Sequence, residues 1–172
     1  KSVRGSSDAG LFWFIYAVEK LGMDPMVFLR RLIVACSEDI GLANPQAMVQ
    51  AVTAMDAYHK IGWPEARYNI AQAILFAVES PKSNSIGLAL ERIGAAIERL
   101  GAAEVPLHLR DASYRGAQQL GHAGYKYPHD YPGHYVEQHY LPDAIRNDVF
   151  FTASEQGTEA KIRENQLRRR GK

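Results

Sequence analysis

The chain has 172 residues, of which 47% are hydrophobic and 23% charged, and it contains a single cysteine. This composition is ordinary for a globular protein, and it excludes a disordered chain, a disulfide framework and a cysteine-rich zinc site. The longest apolar run, residues 11–18, is far shorter than the roughly 20 residues that cross a bilayer, so no membrane partner is expected.

The net charge of +1 conceals an asymmetry along the chain. Residues 161–172 carry six basic side chains and one acidic one, a local charge of +5, so the other residues carry −4. This pattern indicates a mildly acidic body with a basic tail, not a uniformly basic nucleic-acid binder. Because the chain begins with Lys1 rather than methionine, we expect it to be a piece of a longer protein.

Local start and stop signals predict the first two helices. Ser7 or Asp8 can cap a first helix that ends at Gly22. The second begins at Asp24–Pro25, a capping residue followed by proline at the first helical position, and ends near Gly41.

Three further helices follow with similar signals. The third begins at Asn44–Pro45 and ends at Gly62, and the fourth begins at Pro64 and ends at Ser80–Pro81. The fifth ends at Gly101 and has apolar residues at alternating steps of four and three: Ile86, Leu90, Ile93, Ile97 and Leu100. Because the connections are short, the fold predicted for residues 1–104 is a mainly α, antiparallel helical bundle.

The composition changes in residues 105–172. Four prolines fall here, and five of the nine tyrosines lie between residues 125 and 140. We predict a Pro/Tyr-rich irregular segment that wraps onto the bundle to form one unit with it. Within it we predict a short helix near 113–120, a turn at 142–146, a short strand at 149–151 and a C-terminal helix from about 154 to 170.

The sequence offers no motif for nucleotide or acyl chemistry. Phosphate-binding glycine loops and the Gly-x-Ser-x-Gly elbow are both absent. The densest polar group consists of His122, His129, Asp130, His134 and His139. A metal site is one interpretation, but the five-residue spacing of three histidines suits no common ligand pattern, so we favour an ordinary loop.

Charged and polar residues suggest three further candidate sites. Glu38 and Asp39 point about 100° apart on a helix and so should not share one site; we expect an ion pair with Arg30, Arg31 or Lys82. Residues 81–85 are typical of an anion-binding helix start or of an ordinary N-cap, and we favour the N-cap. The basic tail includes Arg168, Arg169 and Arg170. These side chains either contact DNA phosphates or are solvated and complement the dipole at the C-terminal end of the helix.

The first helix has more apolar surface than one core face can hide. Six consecutive residues, Leu11 to Tyr16, are all apolar or aromatic and must face every direction. Either the irregular segment or another protomer covers the outer side. This makes Trp13 and Tyr16 candidate interface residues.

Several strings resemble the C-terminal region of one family, the MgsA (RarA) AAA+ ATPases of DNA replication and recombination, which include the Werner-helicase-interacting ATPase. The strings are Ser37–Gln46, Ser80–Ser85, Val105–Ala112, Tyr125–Asp130 and Tyr140–Pro142. Residues 1–8 also look like the junction after the lid of a clamp-loader-type AAA+ ATPase. The resemblance spans essentially the whole chain.

The resemblance implies an enzymatic function for the longer protein and a role in assembly for this chain. The parent would be a DNA-dependent ATPase that uses ATP and magnesium, acts in repair and recombination at stalled forks, and binds single-stranded-DNA-binding protein in the cytoplasm, associated with the nucleoid. This region would form a homotetramer through a bundle like the clamp-loader collar. It would hold no catalytic residue, cofactor or metal.

The shared strings also imply structural or interface positions. These are Glu38, Asp39, Pro81, Lys82, Asn84, His108, Arg110, His129 and Asp130. His134 and His139 fall outside the family pattern, which weakens the metal interpretation. Two other hypotheses remain: a helical adaptor whose grooves bind peptides of replication proteins, and a stand-alone enzyme that uses His129 and Asp130.

Overall fold

The structure is a computed structural model that describes residues 1–111, 113, 117–121, 124–169 and 171, with the backbone alone at 117 and 118. It has six α-helices and no strand within these residues, which confirms the mainly α fold class. The helices are α1 (Ala9–Leu21), α2 (Pro25–Ala35), α3 (Gln46–Ile61), α4 (Arg67–Glu79), α5 (Ser85–Leu100) and α6 (Glu159–Arg169).

The chain folds into two compact units. The first consists of Lys1–Ala89 and Phe151–Lys172, and the second of Leu90–Phe150. The sequence predicts a boundary at residue 104 within one packed unit, with α6 grouped with the irregular segment. In the structure the division falls within α5, and α6 belongs to the first unit.

Local chemistry explains the first two helices. Gly22 adopts φ +66° after α1, and the Met23 N–H donates to the Ala17 carbonyl at 3.0 Å, which closes the helix end. The Asp24 carboxylate accepts from the Met26 N–H at 2.9 Å, and Pro25 occupies the first position of α2. These are the signals that the sequence shows.

The core of the first unit lies among the first four helices. Phe14, Leu29 and Ile70 are among its buried large side chains. On α3 the core residues are alanines at steps of four and three: Ala47, Ala51 and Ala54. Small side chains on one face let α3 pack closely against α2 and α4, its two main neighbours.

Three sequence-based boundaries need correction. A turn at 62–66, in which the Ala66 N–H donates to the Gly62 carbonyl at 2.9 Å, delays α4 to Arg67. Gly157, at φ +50°, delays α6 to Glu159. Near 113–120 the described helical residues are the short 3-10 turn Ala117–Leu120. Residues 114–116 of this prediction lie outside the described residues.

The predicted strand at 149–151 is wrong. The backbone there makes no ladder; instead, the Phe150 carbonyl accepts from Arg92 Nη1 at 3.1 Å. The second unit contains short 3-10 turns, one of which, Asp143–Ile145, lies in the predicted turn at 142–146. Arg99 and Asp148 form an ion pair within this unit at 2.5 Å.

Gly157 provides a test of how closely the C-terminal segment packs. A Cβ at Gly157 would lie 2.0 Å from the Ala43 carbonyl oxygen, whereas a Cβ at Gly22, also at positive φ, would meet open space. We expect Gly22→Ala to lower the free energy of unfolding by about 1 kcal/mol, through backbone strain alone. Gly157→Ala should cost roughly 2–4 kcal/mol, because the clash adds to the strain.

Urea unfolding followed by circular dichroism measures both variants. Equal losses for the two alanine variants would show that the 157–158 segment does not pack against residues 42–43.

Candidate functional site

Three exposed rings on α1 form what we call the α1 aromatic surface: Phe12, Trp13 and Tyr16. They are 60%, 58% and 41% exposed. Phe12 and Trp13 meet edge-to-face with centroids 5.1 Å apart, and each lies 6.0 Å from Tyr16. The neighbouring Phe14 is buried against Phe28 and Trp63. Phe14 thus packs in the core, whereas the three other rings form an exposed cluster.

Other helices of the first unit also leave large apolar side chains exposed. They include Val27, Val34, Met48, Val52 and Tyr68. Single exposed apolar residues are normal on a protein surface, but a cluster of packed aromatic rings indicates an interaction site. The α1 aromatic surface is therefore the candidate interface of this unit.

Glu38 and Asp39 share one partner, Arg4. Arg4 Nε donates to Asp39 Oδ1 at 2.6 Å, and Arg4 Nη2 donates to Glu38 Oε1 at 3.1 Å. The hydrogen bond and charge of Asp39, with a smaller effect of Glu38, raise the pKa of the Arg4 guanidinium. The π-helical turn Cys36–Ile40, which replaces a regular helical turn, carries both carboxylates.

This arrangement corrects two predictions. The carboxylates do meet at one group, because a guanidinium offers several donors in a planar fork. Their partner is Arg4 rather than Arg30, Arg31 or Lys82. Since Arg4 lies 34 and 35 residues earlier in the chain, no local spacing indicates the pairing.

Lys82 caps the end of α4. Its Nζ donates to the carbonyls of Ala77, Val78 and Ser80 at 3.1, 2.8 and 2.5 Å. Desolvation lowers the pKa of this ammonium group, although nearby Glu79 and Asp39 act in the opposite direction. Asn84, two residues on, is exposed, and its carbonyl accepts from the Leu88 N–H at the start of α5.

The start of α5 holds a carboxylate that sequence reasoning missed, that of Glu159. Its side chain is fully buried, with Ser85 Oγ donating to Oε1 and the Ser154 N–H donating to Oε2, each at 2.6 Å. Burial alone would raise the pKa of Glu159, but hydrogen bonds from Ser85, Ser154 and Ser83 outweigh it and lower the pKa.

Both interpretations of residues 81–85 therefore describe part of the structure. Ser83 Oγ accepts from the Ser85 N–H at 3.2 Å, as an N-cap does. The anion at this helix start is the protein's own Glu159, which lies 74 residues from Ser85. No spacing rule connects positions so far apart, so no sequence signal identifies Glu159.

In the second unit, His108 and Arg110 bind their own chain. His108 Nε2 lies 2.7 Å from the His139 carbonyl. Arg110 Nε donates to the Val105 carbonyl at 2.8 Å, and its Nη2 pairs with Glu104, whose pKa this hydrogen bond lowers. These contacts hold the 104–110 segment in shape.

His129 and Asp130 lie on the exposed 3-10 turn Pro128–Asp130. The His129 ring contacts the rings of Tyr127 and His134, with centroids 5.0 and 4.8 Å away. Among the described residues, no group of three His, Cys, Asp or Glu side chains lies close enough to hold a metal ion. His122, which belongs to the histidine group weighed as a metal site, is outside them.

Two arginines near the end of α6 form no close ion pair in the described part of the chain, although the pKa of Glu164 is lowered by the hydrogen bond from Lys161 and, to a smaller extent, by the charge of Arg168. Arg168 Nη2 donates to the Asn165 side chain at 3.1 Å, and Arg169 Nε to the Asn165 carbonyl at 3.3 Å. By contrast, Lys161 pairs with Glu164, and Arg163 pairs with Glu155. Arg170 lies outside the described residues.

A helical unit with an exposed aromatic cluster is typical of an interaction module. The chain matches the family described as MgsA AAA+ ATPase C terminal over residues 5–170. It therefore belongs to this family, as its sequence strings indicated.

Relatives support the same assignment. The chain is 42% identical over 159 residues to replication-associated recombination protein A of Bacillus subtilis, covering 91% of this chain and 37% of that protein. It is 35% identical over 167 residues to the Escherichia coli protein of the same name, covering 95% and 37%. ATPase WRNIP1 of Dictyostelium discoideum is 36% identical over 154 residues, covering 88% and 18%.

The chain thus spans less than two-fifths of the length of these relatives. No helix in the described residues has the length and apolar character that a membrane span needs.

The buried carboxylate leads to a stability prediction. Glu159→Gln should lower the free energy of unfolding by about 1–3 kcal/mol at neutral pH, because charge-assisted hydrogen bonds weaken and donors lose a good acceptor. Glu155→Gln, which removes an exposed partner of Arg163, is the matched control and should cost less than about 0.5 kcal/mol.

The same pair of variants tests the pH dependence. Since folding lowers the pKa of Glu159 from its ordinary 4.5, its contribution is full above pH 4.5. It is lost as the pH falls through the lower folded value, so the gap between wild type and Glu159→Gln should shrink in acid. A gap that widens below pH 4.5 in denaturant titrations would contradict the assignment.

Proposed function

We propose that this chain is the assembly module of a AAA+ ATPase and that it joins four protomers into a homotetramer. The observation that carries the proposal is the α1 aromatic surface, in which Phe12, Trp13 and Tyr16 pack together while all three stay exposed. Aromatic side chains of this kind each bury about 150–250 Å² when covered. Burial of such a cluster favours association.

Tetramers usually have dihedral symmetry built from self-complementary contacts. A helix that presents the same ring cluster in each copy suits such a contact, because two copies of α1 can pack across a two-fold axis. The exposed apolar side chains of α2, α3 and α4 offer a surface for the second contact that a dihedral tetramer needs.

For the longer protein we propose a DNA-dependent ATPase that acts in replication, recombination and repair at stalled forks. The name shared by the bacterial relatives, replication-associated recombination protein A, supports this role. ATP and magnesium would bind outside this chain, which would have no activity of its own. Single-stranded-DNA-binding protein and DNA are the proposed partners, in the cytoplasm and associated with the nucleoid.

Light scattering after size exclusion tests the assembly. We expect a mass near four times 19.2 kDa for this chain. The double variant Trp13→Ser/Tyr16→Ser should shift the mass towards one or two chains, because it removes two rings of the α1 aromatic surface. Tyr125→Ser, which removes an exposed ring of the second unit, is the matched control and should keep the wild-type mass.

Circular dichroism confirms that each variant remains folded. A chain that stays monomeric at high concentration, or a folded double variant that keeps the wild-type mass, would contradict the proposed interface.

The exposed arginines Arg168 and Arg169 of α6 give a separate test of DNA contact. If Arg168 and Arg169 each neutralise a phosphate of single-stranded DNA, replacing both with glutamine should reduce the salt slope of binding by roughly 1.4. Lys161→Gln is the control, because Glu164 already pairs with Lys161. Fluorescence anisotropy of a labelled oligonucleotide at several salt concentrations measures the slope. An unchanged slope would assign these arginines to a solvated helix end.

A further inference from the structure

Helix α5 presents an apolar face to solvent in the second unit, along residues 90–97. Leu90, Gly94 and Ile97 share this face because they follow one another at steps of four and three. Leu90 is 64% exposed and Ile97 is 60% exposed. Between them Gly94 leaves an opening, since a Cβ added there would meet no atom within 4 Å. We call these three residues the α5 apolar face.

The other side of α5 is already packed within the same unit, which fixes the direction of this face. Ala96 is buried, and Arg92 Nη1 donates to the Phe150 carbonyl at 3.1 Å. Two turns after Arg92, Arg99 forms its ion pair with Asp148. The helix cannot rotate to hide the α5 apolar face without breaking these contacts, so the exposed side chains are available to a partner.

Two carboxylates border the α5 apolar face along one edge. Glu91 and Glu98 are seven residues apart, so their side chains lie one above the other beside Leu90 and Ile97. Both are exposed, and neither forms an ion pair or a side-chain hydrogen bond among the residues that the structure describes. The face therefore combines exposed hydrocarbon with two negative charges that no described ion pair neutralises.

We propose that the α5 apolar face docks an amphipathic helix of a partner protein, one that carries lysine or arginine beside its own apolar stripe. Apolar side chains of the partner would cover Leu90 and Ile97, and its basic side chains would meet Glu91 and Glu98. The opening at Gly94 lets the partner approach the α5 backbone closely. Recognition through apolar residues at steps of three and four is a common way in which proteins bind amphipathic helices.

Charge argues against three other occupants. Nucleic acid and an anionic membrane surface are both negative, so Glu91 and Glu98 would repel them. A second copy of α5 that packs antiparallel across a two-fold axis would bring the two glutamate edges together, and like charges in contact are destabilising. With a basic helix, both carboxylates instead contribute favourably and select the partner.

The inference does not depend on the α1 aromatic surface, and it is measured separately from the tetramer. The probe is a blocked peptide made of two copies of Lys-Leu-Ala-Lys-Leu-Ala-Ala, whose lysines lie beside the leucine stripe when the peptide is helical. Isothermal titration calorimetry measures its binding. We expect saturable binding that weakens as salt rises, because exposed charges are screened. A charge-reversed peptide with glutamate for lysine, and a scrambled peptide of the same composition, should each bind at least about tenfold more weakly.

Charge variants test the acidic edge. Glu91→Lys/Glu98→Lys should weaken binding about tenfold or more, because it replaces two attractive charges with repulsive ones. The matched control is Asp130→Lys/Glu137→Lys, which makes the same change in net charge at exposed positions of the same unit. It should weaken binding less than about threefold, through the general field of the protein alone.

Apolar variants test the face itself. Leu90→Gln/Ile97→Gln should weaken binding about 10- to 100-fold, because it removes apolar surface without changing the charge. The matched control is Val105→Gln/Leu120→Gln, which changes two exposed apolar side chains outside α5 and should bind like the wild type. Circular dichroism identifies any variant that fails to fold, and Leu90→Ala/Ile97→Ala is the milder alternative.

Light scattering gives the mass of each folded variant, which should equal that of the wild type. The proposal is overturned if the wild type shows no saturable binding, if the scrambled peptide binds as tightly, or if the two lysine double variants weaken binding equally. Full binding by folded Leu90→Gln/Ile97→Gln would also overturn it. A lower mass of that variant would make a second copy the occupant. Failure of the proposed tetramer would instead appear in the wild-type mass and leave these titrations unchanged.

Discussion

The buried carboxylate of Glu159 is the constraint on which the first unit depends. A fully buried charge persists only when donors surround it, and here they come from Ser85 and Ser83 beside α5 and from Ser154 before α6. One carboxylate therefore fixes the start of one helix, the start of another and an extended segment. Thr158, beside it, adds a backbone hydrogen bond to the Ala43 carbonyl at 2.9 Å. The start of α6 thus reaches the helical body through polar contacts of Glu159 and Thr158.

The distribution of large and small apolar side chains explains why the first unit leaves aromatic rings exposed. The core takes alanines from α3 and, of the aromatic residues on α1, only Phe14. Phe12, Trp13 and Tyr16 stay on the surface. An apolar surface of this kind is stabilised when it is covered, which links the composition of the chain to the assembly that we propose. The packing of the core and the proposed interface both follow from which side chains are buried and which are exposed.

The sequence predicted what local chemistry determines. Asp24–Pro25 and Gly22 mark helix ends through contacts within a few residues, and the structure has both. Contacts between distant positions were missed, because neither the Arg4 pair with Glu38 and Asp39 nor the Glu159 site follows a periodic pattern. The predicted strand at 149–151 is wrong for a related reason. Its β-branched and aromatic residues fit an extended backbone, but side chains, not a neighbouring strand, satisfy that backbone.

The contacts also sort the candidate residues into two groups. Lys82, His108 and Arg110 bind carbonyl groups of their own chain, so their chemistry is already engaged in shaping it. Arg168 and Arg169 instead contact Asn165 on the exposed end of the same helix, at 3.1 and 3.3 Å, and Arg31 forms no ion pair with the described residues. A cation that is bound internally offers little to a ligand, because binding would first have to break an existing contact. The exposed cations of α6 and the exposed rings of α1 are among the places where we propose that partners act, even though the family strings emphasise other positions.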